Sequence, residues 1–153
     1  MKYEEFKLLV TDVLTDMDSV RPGMYNPNAV ELICMICAHE SLGGVLRVQM
    51  GGGPARGVLQ IEEPTHDSIW DNSDTIAQTS KELGIKRNWS RVEDGDRYSI
   101  FMARHLIAMD PHSIPSDVLG LGAYAKRVWN TSAGKATAAR YISDWMAWRA
   151  GEL

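Results

Sequence analysis

The stretch NAVELICMICAHESLGG, residues 28–44, decides how the rest of the chain is read. From Ala29 to Ala38 every residue except Glu31 is apolar. A helix that is apolar on most sides belongs inside a domain, not on its surface. Asn28 can cap its start, with Glu31 following in the manner of a capping box. Gly43 and Gly44 supply a glycine stop after about Leu42. A central helix over 29–42 is therefore predicted, with Glu40 in its last turn. Burial disfavours a charged carboxylate there, and so does the negative end of the helix dipole. Both raise its pKa, and a carboxylic acid still protonated near neutral pH can donate a proton to a leaving oxygen. On this local pattern alone, a glutamate that simply emerges into solvent is the simpler explanation.

Upstream, Phe6, Leu9, Val10, Val13, Leu14 and Met17 recur at helical spacing and predict a helix over 3–17. Arg21-Pro22-Gly23 and Asn26-Pro27-Asn28 interrupt the chain after it. Downstream, 45–50 and 58–61 alternate well enough for two short strands around the loop 51–57. The pair predicts a glycine-rich β-hairpin or an irregular β-lobe. Further helices are expected from Pro64 through Trp70, from a Ser73 cap to Leu83, over 96–108, over 116–129 and over 137–148, with a turn at 130–134. No repeat, linker or low-complexity tract breaks the pattern. The expectation is one domain, 1–153, of α+β class, mostly α, in two lobes with a small β-hairpin after the central helix.

A chain of 153 residues is one ordinary domain. Its 44% hydrophobic and 24% charged content is that of a globular protein. With 16 basic against 20 acidic residues, the formal charge of −4 argues against a nucleic-acid partner. Cys34 and Cys37 share a face of the apolar helix, and no second pair completes a zinc site. They read as buried free thiols, consistent with a reducing compartment. The start, Met1-Lys2-Tyr3-Glu4-Glu5, is too acidic for a signal peptide. The longest apolar run is too short to span a bilayer. No stable membrane insertion is expected.

The wider pattern changes the weight on Glu40. Ala38-His39-Glu40-Ser41 is followed by Gly57-Val58-Leu59-Gln60, and later by Ala123-Tyr124. This resembles the lytic transglycosylase and goose-type lysozyme families of the lysozyme superfamily. Their signature is a Glu-Ser pair ending a helix, a glycine-hydrophobic-hydrophobic-glutamine strand, and an Ala-Tyr motif on a later helix. The segment 49–62 also looks like small phage-encoded members of the group. The resemblance covers about 29–65 and 121–130. It departs at the third motif, where the usual Ala-Tyr-Asn becomes Ala-Tyr-Ala-Lys; Asn130 is a candidate for the missing amide.

The resemblance implies a lysozyme-like two-lobed fold with Glu40 as general acid. It also implies that Ser41 and Gln60 line the cleft near the cleaved bond and that Tyr124 lies close to Glu40. Gln49, Trp129 and Asn130 join them as candidate substrate contacts. Each also has a plainer reading: Ser41 as a polar residue at a helix end, Gln60 as a solvent-facing side chain, Tyr124 as a core aromatic. Trp145 and Trp148 read as core, and Lys126, Arg127 and Lys135 as a solvated face that could meet acidic groups of the wall polymer. The substrate so implied is bacterial peptidoglycan, cut between N-acetylmuramic acid and N-acetylglucosamine.

The second carboxylate stays open. Ordinary glycosidases use two, yet no Asp or Glu lies between Glu40 and Gln60. Glu62 could share a strand face with Gln60 and hold a water as general base, or it could simply favour a helix start near Pro64. Alternatively, as in lytic transglycosylases, the substrate's own 6-hydroxyl attacks and Glu40 serves alone. His39-Glu40 opens like a zinc-protease motif, but Gly43 stands where the second histidine is needed. No metal or cofactor is implied. A monomeric phage lysis protein, held in the host cytoplasm and dependent on a holin, or a virion-associated enzyme is the expected setting. A lysozyme-fold module that binds glycan or serves as a virion part without catalysis is the alternative, and a small helical adaptor a third.

Overall fold

The computed structural model describes residues 1–130 and 134–153. Seven α-helices are found among them: α1 (Tyr3–Val20), α2 (Pro27–Ser41), α3 (Glu63–Asn72), α4 (Ile76–Leu83), α5 (Asp96–Met109), α6 (Val118–Ala125) and α7 (Ala138–Arg149). The chain is mostly helical, and each predicted helix is present within a few residues. The turn expected over 130–134 lies in part outside the described residues.

The apolar run of 29–38 becomes the axis of the fold. On α2, Leu32, Ile33, Cys34, Met35, Cys37 and Ala38 have no exposed surface. The helix packs against α1, α5, α6 and α7. Each large side chain buried this way contributes about 1.5–3 kcal/mol from leaving water. Both cysteines are free and buried, and burial pushes the Cys37 thiol up to about 12. The start of α2 differs in detail from the prediction. Asn26 is the cap, its side chain accepting from the Asn28 N–H at 2.7 Å, and Pro27 opens the helix. Proline suits the first helical position because its missing N–H would be unpaired there anyway. Glu31 does not complete a capping box; it accepts from Tyr3 at 2.6 Å and pairs with Lys7 at 2.8 Å, tying α1 to α2.

The predicted β-hairpin is not formed. Among the described residues 45–61 holds no strand, only isolated bridges between Val48 and Arg56 and between Arg56 and Ile61. The physical reason is backbone handedness. Leu42, Gly43, Gly44, Gly51, Gly52, Gly57 and Gln60 all have positive φ, so the second predicted strand is cut at Gly57 and Gln60 and 45–50 has no extended partner to pair with. Burial tells the same story. Val58 and Leu59 are adjacent and both fully buried, whereas a strand sends neighbours to opposite faces. The segment 57–60 is instead a tight turn, closed by reciprocal Arg56–Ile61 backbone hydrogen bonds of 2.9 Å.

Two of the histidines are consumed inside the fold. His66 Nε2 is 2.7 Å from the Tyr98 hydroxyl, which also accepts from Trp70 Nε1 at 3.0 Å. His105 sits between Thr75 and Thr79 at 2.5 and 2.8 Å, and burial pushes its pKa down to about 3. No helix among the described residues is long and apolar enough to cross a membrane.

Candidate active site

The end of α2 carries Glu40 to the edge of the core, where it is half-buried. Burial raises its pKa above the usual carboxylate value. Two weaker effects oppose this, a hydrogen bond from Tyr141 and the charge of His39. The Tyr141 hydroxyl donates to Glu40 Oε1 at 2.7 Å. Tyr141 is itself fully buried on α7, with the His39 ring tilted against it at a centroid distance of 4.3 Å. His39 Nδ1 lies 2.7 Å from Asp144 Oδ2, one turn further along α7.

Glu40 lines a cleft of about 380 Å³ together with Gln49, Gln60, Glu62, Trp129 and Asn130. Six of the eight residues expected to form a site are therefore brought to one hollow. Glu40 and Glu62 are the only carboxylates among its described walls. A second hollow of about 290 Å³ adjoins it and shares Glu40, Gln49, Ala55 and Gln60 as walls. It adds His39, Leu42, Leu46 and Met50. Glu40 thus stands at the junction of two adjoining spaces, one mostly polar and one with an apolar rim. A separate pocket of about 230 Å³ between α1 and α5 has an apolar floor. Its guanidiniums are already engaged: Arg97 with Asp16 at 2.9 Å and Arg91 over the Tyr98 ring.

Each wall is held by local structure. Gln60 has a φ of 51°, and its amide donates to the Gly57 carbonyl at 3.0 Å. Gln49 accepts from the Ala55 N–H at 3.1 Å and packs over Gly53, where a Cβ would have no room. Trp129 and Asn130 come from a wider helical turn, Lys126–Asn130, that continues α6 in π form. Such turns re-aim side chains that an α-helix would point elsewhere. Trp129 Nε1 donates to the Leu59 carbonyl at 3.1 Å, joining this turn to 57–60. Glu62 is exposed at the start of α3 and makes no side-chain cap.

Ser41 and Tyr124 do not line the cleft. Ser41 is fully buried; its hydroxyl donates to the Val58 carbonyl at 2.6 Å and accepts from the Gly44 N–H at 2.8 Å. It fixes the end of α2 to the turn that carries Gln60. Tyr124 is buried against α5, within reach of the Ile107 carbonyl at 3.5 Å and under the Arg127 guanidinium. Arg127 is bound to Asp110 at 2.8 Å. The phenol on Glu40 is Tyr141, which the sequence presents only as one more inward position of α7. The pairing of His39 with Asp144 is not legible in the sequence for a related reason: the two are distant in sequence and meet only when α2 and α7 pack.

The raised pKa of Glu40 has a consequence for stability. The folded state binds this proton more tightly than the unfolded chain does. Its stabilising effect is complete below the unfolded carboxyl value and is lost as pH rises through the higher folded value. Above the ordinary carboxylate value the buried carboxyl therefore costs the fold stability, because the unfolded chain ionises more readily than the folded one. Glu40→Gln, neutral at every pH and able to keep an acceptor toward Tyr141, is expected to melt a few degrees above wild type near neutrality. The difference should vanish below about pH 4, where the unfolded carboxyl is also protonated. Paired thermal melts across that range check it.

Comparison with protein-family models, with curated proteins and with solved structures finds no match to this chain.

Proposed function

We propose that this protein is a peptidoglycan-cleaving enzyme of lysozyme-like, two-lobed fold. It cuts the β-1,4 bond between N-acetylmuramic acid and N-acetylglucosamine, with Glu40 as general acid. The observation that carries this reading is the place of Glu40 at the junction of two adjoining hollows. An enzyme that cuts a polymer internally must bind it on both sides of the broken bond, and a strand filling both hollows brings one linkage to this carboxyl. Burial supports the role, because an acid must hold its proton until the leaving oxygen takes it. The walls suit a sugar chain. Gln49, Gln60 and Asn130 offer amides to hydroxyl and acetamido groups, and Trp129 offers a ring edge or face.

Two routes complete the reaction. If Glu62, exposed on the cleft wall, holds a water, the product carries a new reducing end. If Glu40 acts alone, the substrate's 6-hydroxyl attacks and the product is a 1,6-anhydro sugar. The resemblance to phage-encoded proteins supports a setting in host lysis, with a holin, or in the virion.

Loss of turbidity in permeabilised Gram-negative cells tests the proposal. The protein should clear the suspension. A protein that leaves turbidity unchanged yet sediments with purified walls would favour a glycan-binding module instead. Trp129→Ala is expected to raise KM for wall fragments roughly tenfold with a smaller effect on kcat, since stacking on an aromatic ring is worth about 0.5–1.5 kcal/mol and more area is lost with it. Initial rates at varied substrate concentration separate the two.

A further inference from the structure

Glu40 shares the second hollow with one other ionisable group, His39. The His39 ring is held on two sides. Its Nδ1 lies 2.7 Å from Asp144 Oδ2, and Tyr141 packs against it at a centroid distance of 4.3 Å. A carboxylate only accepts, so Nδ1 donates and carries a hydrogen whatever the charge of the ring. Nε2 is left for a ligand. It has no hydrogen-bond partner among the described residues, where Trp145 Nε1 is the only side-chain nitrogen or oxygen enclosed without one. Nε2 is therefore open, and the open space beside His39 is the second hollow. With its ring already fixed, this atom gives up little freedom on making one hydrogen bond.

The neighbouring wall has the opposite character. Leu42, Leu46 and Met50 line the same hollow, and Leu42 and Met50 are 39% and 75% exposed. Apolar groups left in water gain from being covered by other apolar groups. The two sugars of the wall polymer differ in one respect: N-acetylmuramic acid bears a lactyl ether, joined to a peptide through an amide. That arm alternates methyl groups with amides. We propose that the second hollow binds the lactyl-peptide arm of N-acetylmuramic acid, with His39 Nε2 bonded to an amide of the arm and Leu42, Leu46 and Met50 covering its methyls. This rests on the peptidoglycan-cleaving role proposed for Glu40. A neutral His39 ring accepts from the amide N–H, and a charged one donates to the amide carbonyl. Asp144 and Tyr141 are positioning residues that hold the ring. The arm then sets the direction of a strand across Glu40, with N-acetylmuramic acid on the side of the second hollow and N-acetylglucosamine on the side of the first.

The test is ligand binding to the full chain, followed by NMR shifts in the Glu40→Gln form so that nothing is cut. The probes are N-acetylmuramyl-L-alanyl-D-isoglutamine, which carries the arm, and the N-acetylglucosamine trimer, which does not. His39→Asn keeps an amide that can donate to Asp144 and has no atom in place of Nε2. It is expected to weaken the muramyl dipeptide roughly fivefold, the loss of one hydrogen bond, and to leave the trimer within about twofold. His39→Gln, whose amide extends as far as Nε2, should restore most of the affinity. Met50→Ala changes an exposed side chain, so it decides the matter if His39→Asn does not fold. It should weaken the muramyl dipeptide about threefold and the trimer hardly at all. Equal weakening of both ligands by His39→Asn would assign the residue a structural role and overturn the subsite. A muramyl dipeptide affinity unmoved by either substitution overturns it too. Binding of the trimer without the muramyl dipeptide overturns the subsite and leaves the cleavage proposal standing. A folded protein that binds neither ligand removes the cleavage proposal and the subsite with it.

Discussion

Glu40→Gln should lower the rate of wall cleavage by at least two to three orders of magnitude, the range general acid catalysis contributes. The side chain keeps its length and an oxygen that can accept from Tyr141, so the hydrogen bond of 2.7 Å has a counterpart in the variant. What disappears is the proton. The leaving glycosidic oxygen would then depart as an alkoxide, which is far less stable than the alcohol. KM should change little, because the walls of both hollows are untouched. Since the same variant is expected to be more stable near neutral pH, a loss of activity cannot be traced to unfolding. Rates of turbidity loss, read beside thermal melts of the same preparations, check both.

The second large effect is on folding. Gly57→Ala is expected to destabilise the protein by roughly 2–4 kcal/mol, a value seen when strain and overpacking coincide. Gly57 has a φ of 80°, and a Cβ there would lie 2.2 Å from the Val92 carbonyl oxygen. Backbone, not a pliable side chain, is in the way, so the turn must move. The turn carries Gln60 into the cleft and receives the Ser41 hydroxyl at Val58, so activity should fall with stability. Gly51→Ala is the control. Its φ is 78°, but nothing lies within 4 Å of the added Cβ, so only the left-handed backbone cost of about 1–2 kcal/mol applies. Urea unfolding of the two variants beside wild type measures the contrast.

Much of the helical architecture was legible because apolar periodicity and breakers report it directly. The apolar run of 29–38 reads as a central helix because it is apolar on most sides, and α4 ends at Gly84 in the left-handed conformation. The β-hairpin was misread because Val45–Met50 and Val58–Ile61 look alternating when side chains alone are counted. What decides is the glycine density between them, which sets positive φ at position after position. Within the cleft, residues close to Glu40 in sequence, or carried by the glycine-rich loop, were legible: Gln49, Gln60 and Glu62. Trp129 and Asn130 were expected from their place after the Ala-Tyr pair, Asn130 as a stand-in for the amide that the motif lacks. Tyr141 and Asp144 were not, because only the packing of α7 against α2 brings them to Glu40 and His39. Tyr124 was expected beside Glu40 from the Ala-Tyr motif of the resemblance, a feature that says nothing about which helix faces the carboxyl.

Mass spectrometry of the soluble fragments released from purified sacculi tests the central claim most directly. Wild-type protein should release disaccharide-peptides with a new end at N-acetylmuramic acid, and Glu40→Gln should release none. A 1,6-anhydro end, one water lighter than a reducing end, would assign the reaction to Glu40 alone; a reducing end would bring in a water and Glu62. Intact sacculi after prolonged incubation with folded wild-type protein would contradict the proposed activity, and equal release by Glu40→Gln would contradict the role of Glu40.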